Sequence, residues 1–92
     1  MSAFIIVDLT PTNKDALGTY SALAAKTLTP FKGEFIAKGA IETLHGDAPY
    51  STKVIIQFPD REHAKNWYNS PAYQEIIPTR NQGMDSQFHL VG

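Results

Sequence analysis

Hydrophobic spacing along this chain switches repeatedly between the two-residue period of a strand and the 3.6-residue period of a helix. Residues 3–10, AFIIVDLT, are β-branched and aromatic over a short run and read as a buried central strand. Asp8 interrupts the run, either as a strand-end carboxylate meeting solvent or a lysine, or as a polar group facing a cavity. Ala16, Leu17, Tyr20, Leu23, Ala24, Thr27, Leu28 and Phe31 then recur at helical spacing and predict an amphipathic helix over residues 13–31. Thr12 and Asp15 resemble a capping box at its start. Pro30 spoils the last turn, and Gly33 suits the left-handed position past the end.

Residues 34–44, EFIAKGAIETL, alternate as a strand. Phe35, Ala37, Gly39 and Ile41 fall on one face, with Glu34, Ile36, Lys38, Ala40 and Glu42 on the other. Gly39 suggests a bulge, which would separate Lys38 from Glu42, because a slip of one residue exchanges faces. His45-Gly46-Asp47-Ala48-Pro49 is turn material, and residues 53–58, KVIIQF, return as a third strand. Asp60 is placed to cap a short helix over 61–69 whose inner face is Ala64, Trp67 and Tyr68. Ser70-Pro71 reads as the cap and first residue of another helix, with Tyr73, Ile76, Ile77 and Arg80 inward and Pro78 kinking or tightening it. Residues 84–91 form a last strand, Phe88 and Leu90 on one face and Gln87 and His89 on the other.

The resulting order is the ferredoxin-like βαββαβ arrangement, an α+β fold with an antiparallel four-stranded sheet and helices on one face. Residues 1–92 make a single domain. The first and third strands are apolar on both sides, so the sheet face without helices also needs a cover. The same face of a second copy supplies it, giving a symmetric homodimer.

Composition narrows the chemistry. A net charge of −1 with scattered lysines argues against nucleic-acid binding, and no polybasic run meets lipid headgroups. The absence of cysteine removes disulfides, thiolate nucleophiles and thiolate metal sites. The apolar run near the N-terminus is too short for a signal segment or a membrane span, so the cytoplasm is the expected location. His45, His63 and His89 have no ligand spacing, and no Gly-rich phosphate loop is present. No metal or cofactor is expected.

A polar-aromatic set remains. Arg80 lies on the apolar stripe of its helix, and a buried guanidinium needs either a protein carboxylate or a bound anion. Glu42, Asp8 and Asp85 are the internal candidates. The other reading is a fork gripping a carboxylate or enolate oxygen of a small molecule. The tips of Trp67, Tyr68, Tyr73 and Tyr20 also need partners, and several such tips beside an arginine build an apolar pocket with a few fixing groups. Lys38 and Glu42 either complete that pocket or form an ordinary cross-strand pair. The ligand-binding set is thus Arg80, Tyr20, Trp67, Tyr73, Lys38 and Glu42, around a small organic anion between helices and sheet. Glu42 or Asp8 would be the base if the site is catalytic.

The chain also resembles a known family. Phe31-Lys32-Gly33-Glu34-Phe35, Lys38-Gly39, Glu42-Thr43-Leu44-His45-Gly46 and above all Phe58-Pro59…Ala64…Trp67-Tyr68-Asn69-Ser70-Pro71…Tyr73-Gln74…Arg80 are similar to the pattern of domain of unknown function 1330. The resemblance runs end to end and implies a ferredoxin-like protomer in a dimeric α+β barrel. It supplies no activity. The wider kin it implies include cofactor-free monooxygenases, haem-degrading enzymes, lactone isomerases and ligand-sensing domains. A monooxygenase- or isomerase-like enzyme and a non-enzymatic dimeric structural or sensing module therefore both stay open.

Overall fold

A computed structural model describes residues 2–92. Its elements are β1 (Ala3–Pro11), α1 (Lys14–Leu28), a 3₁₀ turn (Thr29–Phe31), β2 (Glu34–Ala40), β3 (Thr52–Phe58), α2 (Arg61–Asn69), α3 (Pro71–Gly83) and β4 (Met84–Val91). All neighbouring strands are antiparallel, in the order β2-β3-β1-β4. This is the ferredoxin-like βαββαβ fold. Strand alternation decides the layers: Ile5, Val7 and Leu9 of β1 are buried, while Phe4, Ile6 and Asp8 between them are half-buried on the other face. The three helices cover only the first face, where Ile56 and Phe58 join Tyr20, Ala24, Leu28, Trp67, Tyr73 and Ile76 in one core. Among the described residues, no helix is long and apolar enough to cross a membrane.

Local signals set most helix ends. Asp60 Oδ1 accepts the His63 N–H at 2.8 Å and starts α2. Ser70 Oγ accepts from Tyr73 N at 3.2 Å and donates to the Trp67 carbonyl at 2.7 Å, so one buried hydroxyl closes α2 and opens α3. Pro71 follows as the first helical residue, where its missing N–H costs nothing. Pro78 lies inside α3, which continues past it to Gly83.

Four readings of the sequence need correction. Asn13, not Thr12, caps α1, its Oδ1 accepting from Ala16 N at 3.0 Å. Thr12 instead ties the end of β1 to the end of α3, through its N–H to the Gly83 carbonyl at 2.9 Å and its hydroxyl to the Gln82 carbonyl. Second, the helix over 13–31 divides: α1 ends at Leu28 and the segment around Pro30 tightens into 3₁₀.

Third, the left-handed residue after that turn is Lys32, with φ of 59°. Gly33 is required for a different reason. A Cβ there would lie 2.6 Å from the Phe58 ring and 2.8 Å from Leu28.

Fourth, β2 stops at Ala40, and its bulge falls between Phe35 and Ala37 rather than at Gly39. Phe35 pairs with Ile56 and Lys38 with Val54, so both belong to the helix-covered face, and Ala37, opposite Ile55, moves to the open one. Glu42 leaves the sheet for the exposed loop that precedes β3.

Candidate functional site

Helix α1 does not close down on the β2 side of the sheet. A cleft of about 420 Å³ remains between them, floored by Val7, Leu9, Val54 and Ile56 and walled by Leu17, Tyr20, Ala24, Trp67 and Phe88. Phe35 and Lys38 line it from β2, Thr52 from the start of β3, and Ser21 and Ala25 from α1. Its walls are mostly apolar, with a few polar groups at fixed places, which is how small-molecule sites are built. Lys38 is the one side chain among its lining residues that carries a formal charge at neutral pH.

Behind this cleft the aromatic residues form a single hydrogen-bonded array. Tyr73 is fully buried between Trp67 and Tyr68, with ring centroids 4.3 and 5.1 Å away. Its Oη lies 2.8 Å from Tyr20 Oη and accepts from Arg80 Nη1 at 3.1 Å. The same guanidinium nitrogen donates to Tyr68 Oη at 3.0 Å, and Nε donates to Asn81 Oδ1 at 3.2 Å. Arg80 Cζ also sits 4.8 Å from the Phe88 ring centroid, a cation–π distance. Trp67 takes no part in the chain of hydroxyls. Its indole N–H donates to Thr27 Oγ1 at 2.9 Å, and Thr27 donates onward to the Ala24 carbonyl.

The Arg80 partners correct the expectation of a carboxylate. Glu42 is exposed in a loop, Asp85 is exposed on β4 opposite Thr10, and Asp8 pairs with Lys53 at 3.2 Å across β1 and β3. Phenol oxygens and an amide meet the guanidinium instead, and the group is only half-buried, so no counter-charge is required. Burial works against its charge, but the oxygens of Tyr68 and Tyr73 more than offset that and its pKa is raised. Burial raises Tyr73, against the opposing hydrogen bond and positive charge of Arg80. It raises Tyr20 far above the usual tyrosine range, with Tyr73 adding to the effect. Both phenols therefore keep their protons at neutral pH.

Of the six residues the sequence singles out, Tyr20, Trp67 and Lys38 line the cleft. Tyr73 and Arg80 stand behind Tyr20, and Glu42 lies outside the cleft lining, exposed in the loop after β2. Lys38 reaches the cleft only because of the bulge in β2. Thr52, Ser21 and Phe88 also line it, though no pattern in the sequence marks them as more than strand or helix positions. Among the described residues, no group of three or more His, Asp or Glu side chains gathers where it could hold a metal ion.

Solved structures share this architecture at low identity. A protein of unknown function from Rhodopseudomonas palustris aligns with a TM-score of 0.79 and 14% identity, over 98% of this chain and 80% of its own. A dimeric ferredoxin-like protein of unknown function from Jannaschia sp. CCS1 gives 0.70 and 14%, over 100% and 99%. SnoaB, a cofactor-independent oxygenase from Streptomyces nogalater, gives 0.63 and 13%, over 99% and 91%. At such identities the likeness establishes the fold alone. No curated protein matches the chain. The family model for domain of unknown function 1330 matches residues 2–92, and this protein belongs to that family.

Proposed function

We propose that this protein binds a small, mostly apolar organic anion in the cleft between α1 and the sheet. The observation that carries the reading is the cleft itself, about 420 Å³ of largely apolar space with Lys38 as its one charged lining residue. A carboxylate or phenolate on an apolar body matches that lining: the body replaces water against Val7, Leu9, Val54 and Ile56, and the charge faces Lys38. Lys38 is exposed, so its contribution is small, about threefold in affinity or less. Binding of 2-naphthoate, followed by calorimetry, tests this. Lys38→Ala should weaken it modestly, and Ala25→Phe, on the exposed rim of α1, should block it. Undiminished binding to Ala25→Phe, or none to the native protein, would refute the reading.

The working unit in this reading is a homodimer joined through the open sheet face. Phe4 and Ile6 of β1 and Ile55 of β3 lie on that face without a helix over them, and Val91 is 53% exposed. A second copy of the same sheet would bury them. Proteins of this fold from Jannaschia sp. CCS1 and Thermobifida fusca are dimeric. Light scattering should give the dimer mass at micromolar concentration and the monomer mass for Ile55→Asp; a native monomer would sink this part.

A further inference from the structure

The direction of the hydrogen bonds behind the cleft is fixed by what each group can do. A guanidinium only donates, so Tyr73 Oη is an acceptor toward Arg80. Tyr73 is fully buried, and apart from Arg80 its hydroxyl has one neighbour, Tyr20 Oη. Were Tyr20 to donate to Tyr73, the Tyr73 proton would be left in the core with no acceptor, at the full cost of an unsatisfied buried donor. Tyr73 therefore donates to Tyr20. Tyr20 Oη, now an acceptor, is left with its own proton free, and among the described residues no side chain or carbonyl takes it. Tyr20 is 7% exposed and lines the cleft.

We infer that Tyr20 is the specificity-determining group of the cleft, presenting its free hydroxyl proton to a hydrogen-bond-accepting oxygen of the bound molecule. Arg80 is a positioning residue that acts on this proton through Tyr73. The inference rests on the cleft reading and adds a ligand class to it: an apolar skeleton bearing a carbonyl, enolate or phenolate oxygen at its buried end. An apolar molecule of the same shape without that oxygen strands the Tyr20 proton and is rejected, because buried donors left unpaired discriminate more strongly than lost contact area. The chain runs one way from a cation, so each link polarises the next and strengthens the terminal bond. Lys38 contributes charge attraction at the solvent side, and Tyr20 reads the oxygen at the other.

A matched pair of probes tests this: 2-acetonaphthone and 2-isopropylnaphthalene, which differ in a carbonyl oxygen replaced by a methyl group. Equilibrium dialysis should show the native protein binding the ketone about tenfold more tightly. Tyr20→Phe should bring the ratio to about one while leaving the hydrocarbon affinity in place. Arg80→Met should lower the ratio to about threefold, since Tyr73 is then free to reorient, and Arg80→Lys should restore it. A change confined to general stability would move both probes together and leave the ratio alone. Equal binding of the two probes by the native protein, blocked for both by Ala25→Phe, overturns the inference and leaves the cleft reading standing. A native ratio retained in Arg80→Met overturns the role of Arg80. Failure of both probes to bind overturns the cleft reading and the inference together.

Discussion

Replacing Tyr73 by Phe removes one oxygen and breaks two hydrogen bonds. Arg80 Nη1 loses an acceptor at 3.1 Å, and Tyr20 Oη loses its donor at 2.8 Å. The two losses are unequal. Arg80 is half-buried and keeps Tyr68 and Asn81, so solvent and those partners absorb its share. Tyr20 is left without a partner among the described residues, and only water entering the cleft can replace it. An unsatisfied buried hydroxyl costs about 1–3 kcal/mol, and access to the cleft puts this one near the lower end, about 1–2 kcal/mol. Tyr20→Phe should cost more, about 1–3 kcal/mol, because it leaves the proton of the fully buried Tyr73 without an acceptor, and Arg80 can only donate.

The double variant replaces both members of the Tyr20–Tyr73 bond by apolar rings of the same shape, so its cost should fall below the sum of the single ones. A coupling of about 1 kcal/mol is expected. Thermal unfolding at one fixed protein concentration measures all four proteins, since association would otherwise shift the midpoints. For a domain of this size 1 kcal/mol is about 4–8 °C in Tm. Strict additivity, or a larger loss for Tyr73→Phe than for Tyr20→Phe, would refute the assigned direction and hierarchy of the chain.

Other outcomes follow from the same geometry. Gly83→Ala places a Cβ 2.6 Å from the Leu17 backbone nitrogen and 2.8 Å from its Cα, atoms that cannot rotate away, and should lower stability by about 1–3 kcal/mol in a denaturant titration. Gly18→Ala, on the exposed side of α1 with nothing within 4 Å, should instead raise it by up to about 1 kcal/mol through helix propensity. Tyr20 and Tyr73 have folded-state pKa values raised above the ordinary 10.0, so stability should be unaffected by them below pH 10 and fall as pH rises beyond it, where the unfolded chain releases protons that the fold retains. Their phenolate absorbance at 295 nm should appear together with loss of near-ultraviolet circular dichroism; ionisation of both in a fully folded protein would contradict the buried chain. Asp60 has the opposite sign: its carboxylate is held below its ordinary 3.8 first by the His63 N–H and then by the His63 ring, so the stability it adds is present above that value and lost as pH falls through the lower folded one. Asp60→Asn, which keeps the cap without the titration, should flatten the acid limb of the unfolding curve.

What the chain alone determines here is whatever depends on neighbours a few residues apart. The strand and helix order, the caps at Asp60 and Ser70, the Pro71 start and the faces of β4 follow from spacing and from side chains reaching their own backbone, and the structure repeats them. The both-sided apolar character of β1 and β3, which calls for a cover on the open face, is legible for the same reason. The gathering of tyrosine tips beside Arg80 is legible too, since Tyr73 and Arg80 share a helix face seven residues apart and Tyr68 and Trp67 lie one short helix earlier.

Only the tertiary structure decides which of those tips point at one another and what the arginine meets. The bulge between Phe35 and Ala37 turns Lys38 to the cleft and ends its kinship with Glu42, and it arises from how β2 registers on β3 rather than from a glycine in the sequence. The choice of phenols over carboxylates for Arg80 depends on α1 laying Tyr20 against α3, a contact between residues 53 apart in sequence. The cleft is the space left where α1 stands away from β2. A void has no residues of its own, and only the packing of distant elements decides where it falls.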